Sequence, residues 1–218
     1  MVTRIASNRA KLASWSRIRS PYALLHHVYS TYLNAFERNP RLRTEIRTPQ
    51  GAFASTDPQT IEEVADEFGL GKGKKVLDFG GGKGLAAHGL ACFGPQVTAV
   101  EISPHLHNIA VEMHGLMPRQ VQKRVTLLLG DGLKIDFSKF DLIYFFFTHP
   151  SVPEDRTMDA REYLDGYYER FEDKLLRELK PGAKLVVYGG APKHLYGRFS
   201  RLECEEFEVK FAVFSLPK

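Results

Sequence analysis

Apolar residues fall along this chain in two rhythms that take turns. Val76, Leu77 and Phe79 form a short apolar run, and 97–101, 125–129, 141–147 and 184–188 repeat it. Such runs, bounded by glycine, proline or polar residues, predict buried strands. Between them the spacing lengthens to that of a helix. Asp57-Pro58 opens one helix through Phe68, closed by Gly69, and a second follows from Lys83 to Phe93. Ser103-Pro104 caps a third that reaches Leu116. Tyr163, Leu164, Tyr167, Phe171, Leu175 and Leu179 mark a long fourth, which Pro181-Gly182 ends. After Tyr188 the alternation stops, and residues 207–216 read as an apolar/polar strand followed by a nearly continuous apolar one. Parallel strands joined by helices, with an antiparallel element last, predict an α/β, doubly wound, mostly parallel sheet.

The first fifty residues follow another pattern. Ser20-Pro21 is an N-cap followed by an N1 proline, and Leu24, Leu25, Val28, Tyr32, Leu33 and Phe36 recur at helical spacing. Such a stripe predicts a helix packed on the main domain or on a partner. Charge sets this segment apart. Residues 1–47 hold nine Lys or Arg against Glu37 and Glu45, a net of +7 in a chain whose total is +4, so the remainder is net acidic. Arg4, Arg9, Lys11, Arg17 and Arg19 precede any acid. That composition fits a mitochondrial transit peptide, a basic arm for RNA or a larger complex, or a solvated helix packed on its own domain. The division is therefore a basic, largely helical extension over residues 1–50 and an α/β domain over 51–218. The 218 residues, 43% of them hydrophobic, suffice for one α/β core. No apolar run approaches the ~20 residues needed to span a bilayer as a helix. Cys92 and Cys204 show no ligand or redox spacing, and His105, His107 and His114 lack a supporting ligand set and read as helix surface, so no metal is expected.

The candidate chemistry lies at the strand ends. Asp78, Gly80, Gly82 and Gly84 write D-x-G-x-G-x-G directly after the first long strand. Glycines there let backbone approach a bulky ligand where a Cβ would clash. Glu101, at the end of the next strand, stands at the ~20-residue spacing expected of a carboxylate on a nucleotide ribose. Glycines alone leave a dinucleotide open, since Gly81 and Gly84 form a G-x-x-G. Asp78, however, would face its pyrophosphate, and a carboxylate suits a cationic ligand better. Asp78, Glu101 and the later Gly130-Asp131 together resemble the class I (seven-strand) S-adenosylmethionine-dependent methyltransferases over roughly residues 51–218. The resemblance implies a Rossmann-like seven-stranded sheet and S-adenosylmethionine as cofactor. Glu101 is then expected to accept the ribose hydroxyls, Asp131 the adenine amino group, and Ile102 to pack on the adenine face.

Among these enzymes the chain looks most like the short protein-lysine methyltransferases of archaea, bacteria and mitochondria. Gly51-Ala52-Phe53-Ala54-Ser55-Thr56-Asp57-Pro58 stands where those proteins carry their entry segment, and Lys174–Gly182 resembles their K-L-x-x-E-L-x-P-G. This implies Phe53 and Thr56 beside the cofactor, a protein lysine as the favoured acceptor, and a site in the cytoplasm or the mitochondrial matrix. An RNA or small molecule is the alternative acceptor, and a methyltransferase-like binding subunit the alternative role. Thr148 and His149 end the fourth strand, next to the expected methyl. An imidazole there is placed to take a proton from the nucleophile, with an ordinary pKa near neutrality.

Overall fold

In the computed structural model, residues 20–43, 47–48, 51–52, 56–146, 160–188, 199–207 and 211–217 are described. The elements run α1 (Pro21–Arg38), α2 (Pro40–Arg43), β1 (Arg47–Thr48), β2 (Gly51–Ala52), α3 (Pro58–Glu67), β3 (Lys75–Phe79), α4 (Leu85–Ala91) and β4 (Gln96–Glu101). They continue with α5 (Pro104–Leu116), α6 (Arg119–Gln122), β5 (Val125–Leu129), β6 (Leu142–Phe146), α7 (Ala160–Glu178), β7 (Lys184–Tyr188), β8 (Glu203–Phe207) and β9 (Phe211–Ser215). β1 and β2 form a small antiparallel pair of their own. The other seven strands make one sheet in the order β5-β4-β3-β6-β7-β9-β8. It is parallel from β5 to β7, and β9 joins antiparallel to both neighbours. Strand order reverses at β3, between β4 on one side and β6 on the other. Open sheets of this kind bind ligands outside the carboxyl ends of the strands at such a point.

Helices cover both faces, and each face has its own core. Val76, Val97, Ala99, Tyr144 and Val186 meet helices α1, α3, α4 and α5 through Leu25, Val28, Ile61, Leu90 and Met113. Leu77, Phe79, Phe145, Leu185 and Val187 meet α7 through Phe171 and Leu175. Alternation along β3 therefore sends Asp78 towards the first face, beneath α1. Phe79 on the second face stacks on Phe171 at 4.5 Å and meets Phe137 and Phe145 edge-on.

The expected caps are present. Ser20, Asp57 and Ser103 each accept an amide of the first turn of their helix. Two expectations need correction. Leu33 is 63% exposed, whereas Tyr29 is buried and its hydroxyl donates to the Thr56 carbonyl at 2.6 Å. Successive helical positions lie about 100° apart, so Leu33 turns off the face that buries Tyr32. The terminal hairpin begins at Glu203, earlier than the apolar pattern of 207–216 predicts. β8 is the outermost strand, where acidic residues are tolerated and blunt the edge. Among the described residues, no helix is long and apolar enough to cross a membrane.

Candidate functional site

The turn after β3 is set by its glycines. Gly80, Gly82 and Gly84 all take positive φ (77°, 53° and 83°), a region costly for any residue with a Cβ. The amides of Gly80 and Gly81 both donate to the Val100 carbonyl, at 3.0 and 2.9 Å, which lashes the turn to β4. Gly81 has negative φ but no room: an added Cβ would lie 2.8 Å from the Ala99 methyl. At Gly80 the same atom would meet nothing within 4 Å, so that flank of the turn is open.

Glu101 closes the arrangement. Its Oε2 accepts the Gly82 amide at 2.8 Å, and its Oε1 accepts the Ser103 amide at 2.7 Å. Each carboxylate oxygen can accept a further hydrogen bond. Burial pushes the Glu101 pKa up, while the Ser103, Gly82 and Ile102 amides and nearby His107 pull it back. Beside it Ile102 is half exposed, an apolar surface next to the carboxylate. The Gly130 amide donates to the Glu101 carbonyl at 2.9 Å and brings Asp131 to the same strand end. Asp131 caps the short turn Gly132–Lys134, its Oδ1 accepting the Leu133 amide at 2.9 Å.

Asp78 is the most costly group of the site. It is buried, and its Oδ2 has no hydrogen-bond partner. Burial first, and then the charge of Glu101, raises its pKa to about 7, against the opposing pull of the Ala87 amide. A buried carboxylate that lacks a full set of partners favours a cation. The expected cofactor fits these residues on structural grounds. An ammonium would complement the orphaned Asp78 oxygen, ribose hydroxyls would find acceptors on Glu101, and the flank at Gly80 has open space.

The other expected positions divide. Thr56 is buried, with its Oγ1 2.9 Å from the Tyr144 hydroxyl, so its side chain is committed to the core beside the site. Phe53, Thr148 and His149 lie outside the described residues, as do residues 1–19. His114, expected on the helix surface, is instead partly buried, with its Nδ1 2.9 Å from His88 Nε2. The sequence marks neither the imidazole of His88 nor the polar groups of its neighbours Tyr32 and Lys83 as part of a network. Tyr32 carries the helical spacing of a core aromatic, and nothing in its sequence context marks the hydroxyl.

A family model described as a methyltransferase domain matches residues 52–188. Two curated relatives are both called ubiquinone biosynthesis O-methyltransferase. The Xanthomonas campestris protein is 30% identical over 97 residues, covering 44% of this chain and 40% of its own length. The Xylella fastidiosa protein is 30% identical over 141 residues, covering 64% and 50%. The chain thus spans half or less of the length of these relatives. An RNA methyltransferase from Salinibacter ruber, solved with S-adenosylhomocysteine, superposes with a TM-score of 0.54 at 14% identity. That alignment covers 74% of this chain and 91% of the other, and shows a shared fold.

Proposed function

Since the chain belongs to the methyltransferase domain family, an S-adenosylmethionine-dependent group of enzymes, we propose that it methylates a hydroxyl of a small aromatic acceptor. The observation that carries the cofactor half is Glu101 bound to the Gly82 amide, beside a buried Asp78 with an orphaned oxygen. S-adenosylmethionine supplies an electrophilic methyl when bound, so the protein's task is to orient the acceptor and exclude water. In this reading Asp78, Gly80, Gly82, Gly84, Glu101, Ile102 and Asp131 hold the cofactor, with Phe53 and Thr56 at the entry.

Two things support a small acceptor. Both curated relatives are named as O-methyltransferases of ubiquinone biosynthesis. In addition, Phe146 and Tyr188 stand together at the carboxyl ends of β6 and β7, ring centroids 5.1 Å apart and both partly exposed. Paired aromatic rings suit a flat apolar substrate. The Tyr188 hydroxyl is fixed on Asp57 Oδ2 at 2.8 Å, which orients its ring. His149, the residue after Thr148 in the segment that follows β6, would serve as the base: it would take the acceptor's hydroxyl proton as the oxygen gains the methyl and the methyl–sulfur bond of the sulfonium breaks to leave a neutral thioether.

A lysine acceptor has less behind it. In Lys174–Gly182, Lys174 pairs with Glu178 and lies over the Phe137 ring, and Lys180 pairs with Asp141 at 2.7 Å. Those side chains hold α7 against the sheet, so that part of the resemblance reports fold. Incubation with methyl-labelled S-adenosylmethionine tests the assignment. Label is expected in catechol- or phenol-type compounds and absent from lysine peptides. Label confined to protein lysine, or to RNA, overturns the small-acceptor reading.

A further inference from the structure

The glycine turn is gripped from two sides, and only one of them is part of the matched family segment. On the β4 side the grip is the Val100 carbonyl and Glu101. On the other side, the Lys83 carbonyl accepts the Tyr32 hydroxyl of α1 at 2.9 Å. The buried Lys83 ammonium donates to the Leu42 carbonyl at 3.0 Å and sits 5.0 Å over the Phe36 ring. Tyr32, Phe36 and Leu42 all precede residue 52, where the family match begins.

Hydrogen counting fixes the direction of the network behind Tyr32. A carbonyl only accepts, so the single Tyr32 hydroxyl proton goes to Lys83. The 2.8 Å contact between Tyr32 and His88 Nδ1 therefore needs the imidazole N–H as donor. Burial, with His114 adding to it and a hydrogen bond to the Gly84 backbone opposing it, lowers the His88 pKa to about 3, so the ring is neutral: its one N–H is shared between Tyr32 and Gly84, and its second nitrogen accepts. His114 Nδ1, 2.9 Å from His88 Nε2, is then the donor of the last link. One polarised chain runs from α5 through α4 and α1 into the cofactor turn. It acts on a single peptide plane: Tyr32 holds the Lys83 carbonyl, and the Gly84 amide of the same plane donates to Gly81 at 2.8 Å.

We propose that Tyr32 and His88 are positioning residues for S-adenosylmethionine: they lock the Lys83–Gly84 peptide, and so make α1 a working part of the cofactor site. The inference rests on the cofactor site proposed above. Neither residue touches the ligand; each acts through the shape of the turn.

Calorimetry with S-adenosylmethionine on the full chain tests this, with thermal melting to confirm folding. Tyr32→Phe keeps the ring and removes the donor. It is expected to weaken cofactor binding roughly tenfold, the worth of one buried hydrogen bond, with kcat at saturating cofactor within about twofold of wild type. His88→Asn retains a donor where Nδ1 stood and is expected to bind within about threefold of wild type. His88→Leu removes that donor and is expected to match Tyr32→Phe. If the wild type binds while Tyr32→Phe and His88→Leu stay within about twofold of it, this inference fails alone. Equal losses in His88→Asn and His88→Leu also overturn it, since packing would then explain both. A wild type that binds no S-adenosylmethionine overturns the proposed cofactor site and this inference together.

Discussion

Asp78→Asn is expected to make the ligand-free protein more stable and the enzyme worse. The folded-state pKa of Asp78 is raised from 3.8 to about 7 by burial and by Glu101. A raised carboxyl pKa means that the native state keeps a proton the unfolded chain has already released. Asp78 therefore does no harm to stability below pH ~4, and native stability falls as pH climbs from there to ~7. Above that window its penalty is constant. Each pH unit inside the window is worth about 1.4 kcal/mol, so between pH 5 and pH 7 the wild type loses about 3 kcal/mol through this group. An asparagine of the same shape never ionises and escapes the loss. The stability of Asp78→Asn relative to wild type should widen by that amount between pH 5 and pH 8, or roughly 6–12 °C in Tm for a chain of this size. Differential scanning fluorimetry at both pH values, without cofactor, reads it. The substituted protein should also bind S-adenosylmethionine more than tenfold more weakly, because the ammonium loses its charged partner. A stability difference equal at pH 5 and pH 8, or a wild type more stable than Asp78→Asn at pH 8, would refute the reasoning.

Glu101→Ala removes the acceptor of two backbone amides and the proposed acceptor of the ribose, and should weaken S-adenosylmethionine binding by about 1.5–3 kcal/mol, roughly ten- to a hundredfold by calorimetry. Gly132→Ala should cost about 1–3 kcal/mol in urea denaturation, because the new methyl would overlap a Phe79 ring already wedged between Phe171, Phe137 and Phe145. His149→Ala, on the identified acceptor, should cut kcat at least a hundredfold while leaving cofactor affinity within twofold; full turnover would remove His149 as the base.

Much of this architecture can be read from the chain before any coordinates. Strand positions came through because β3, β6 and β7 are buried on both faces and read as continuous apolar runs. Helix starts came through because Ser20, Asp57 and Ser103 carry cap chemistry followed by proline. The meeting of Asp78, the glycines and Glu101 at one turn was legible since it follows from backbone spacing across one βαβ unit. What escaped depends on contacts distant in sequence. Tyr32 and His88 meet across 56 positions, and no local pattern separates a core tyrosine from one whose hydroxyl holds a turn. His114 looked like a surface residue for the same reason, its partner lying on another helix. The position of β8 was missed because an edge strand may carry acids where a central one would not, and periodicity does not say which strand ends up outermost.

The insertion of β9 between β7 and β8 has a consequence for how the molecule is made. During synthesis Leu185–Tyr188 emerges with one bare edge, and β8 emerges before the strand that will join it to the sheet. Until Phe211–Ser215 leaves the ribosome, the apolar β7 edge is open to any other extended segment nearby. The half of the sheet away from the glycine turn is thus the last to close, and until β9 docks the open β7 edge is where incompletely folded chains are most exposed to pairing with one another.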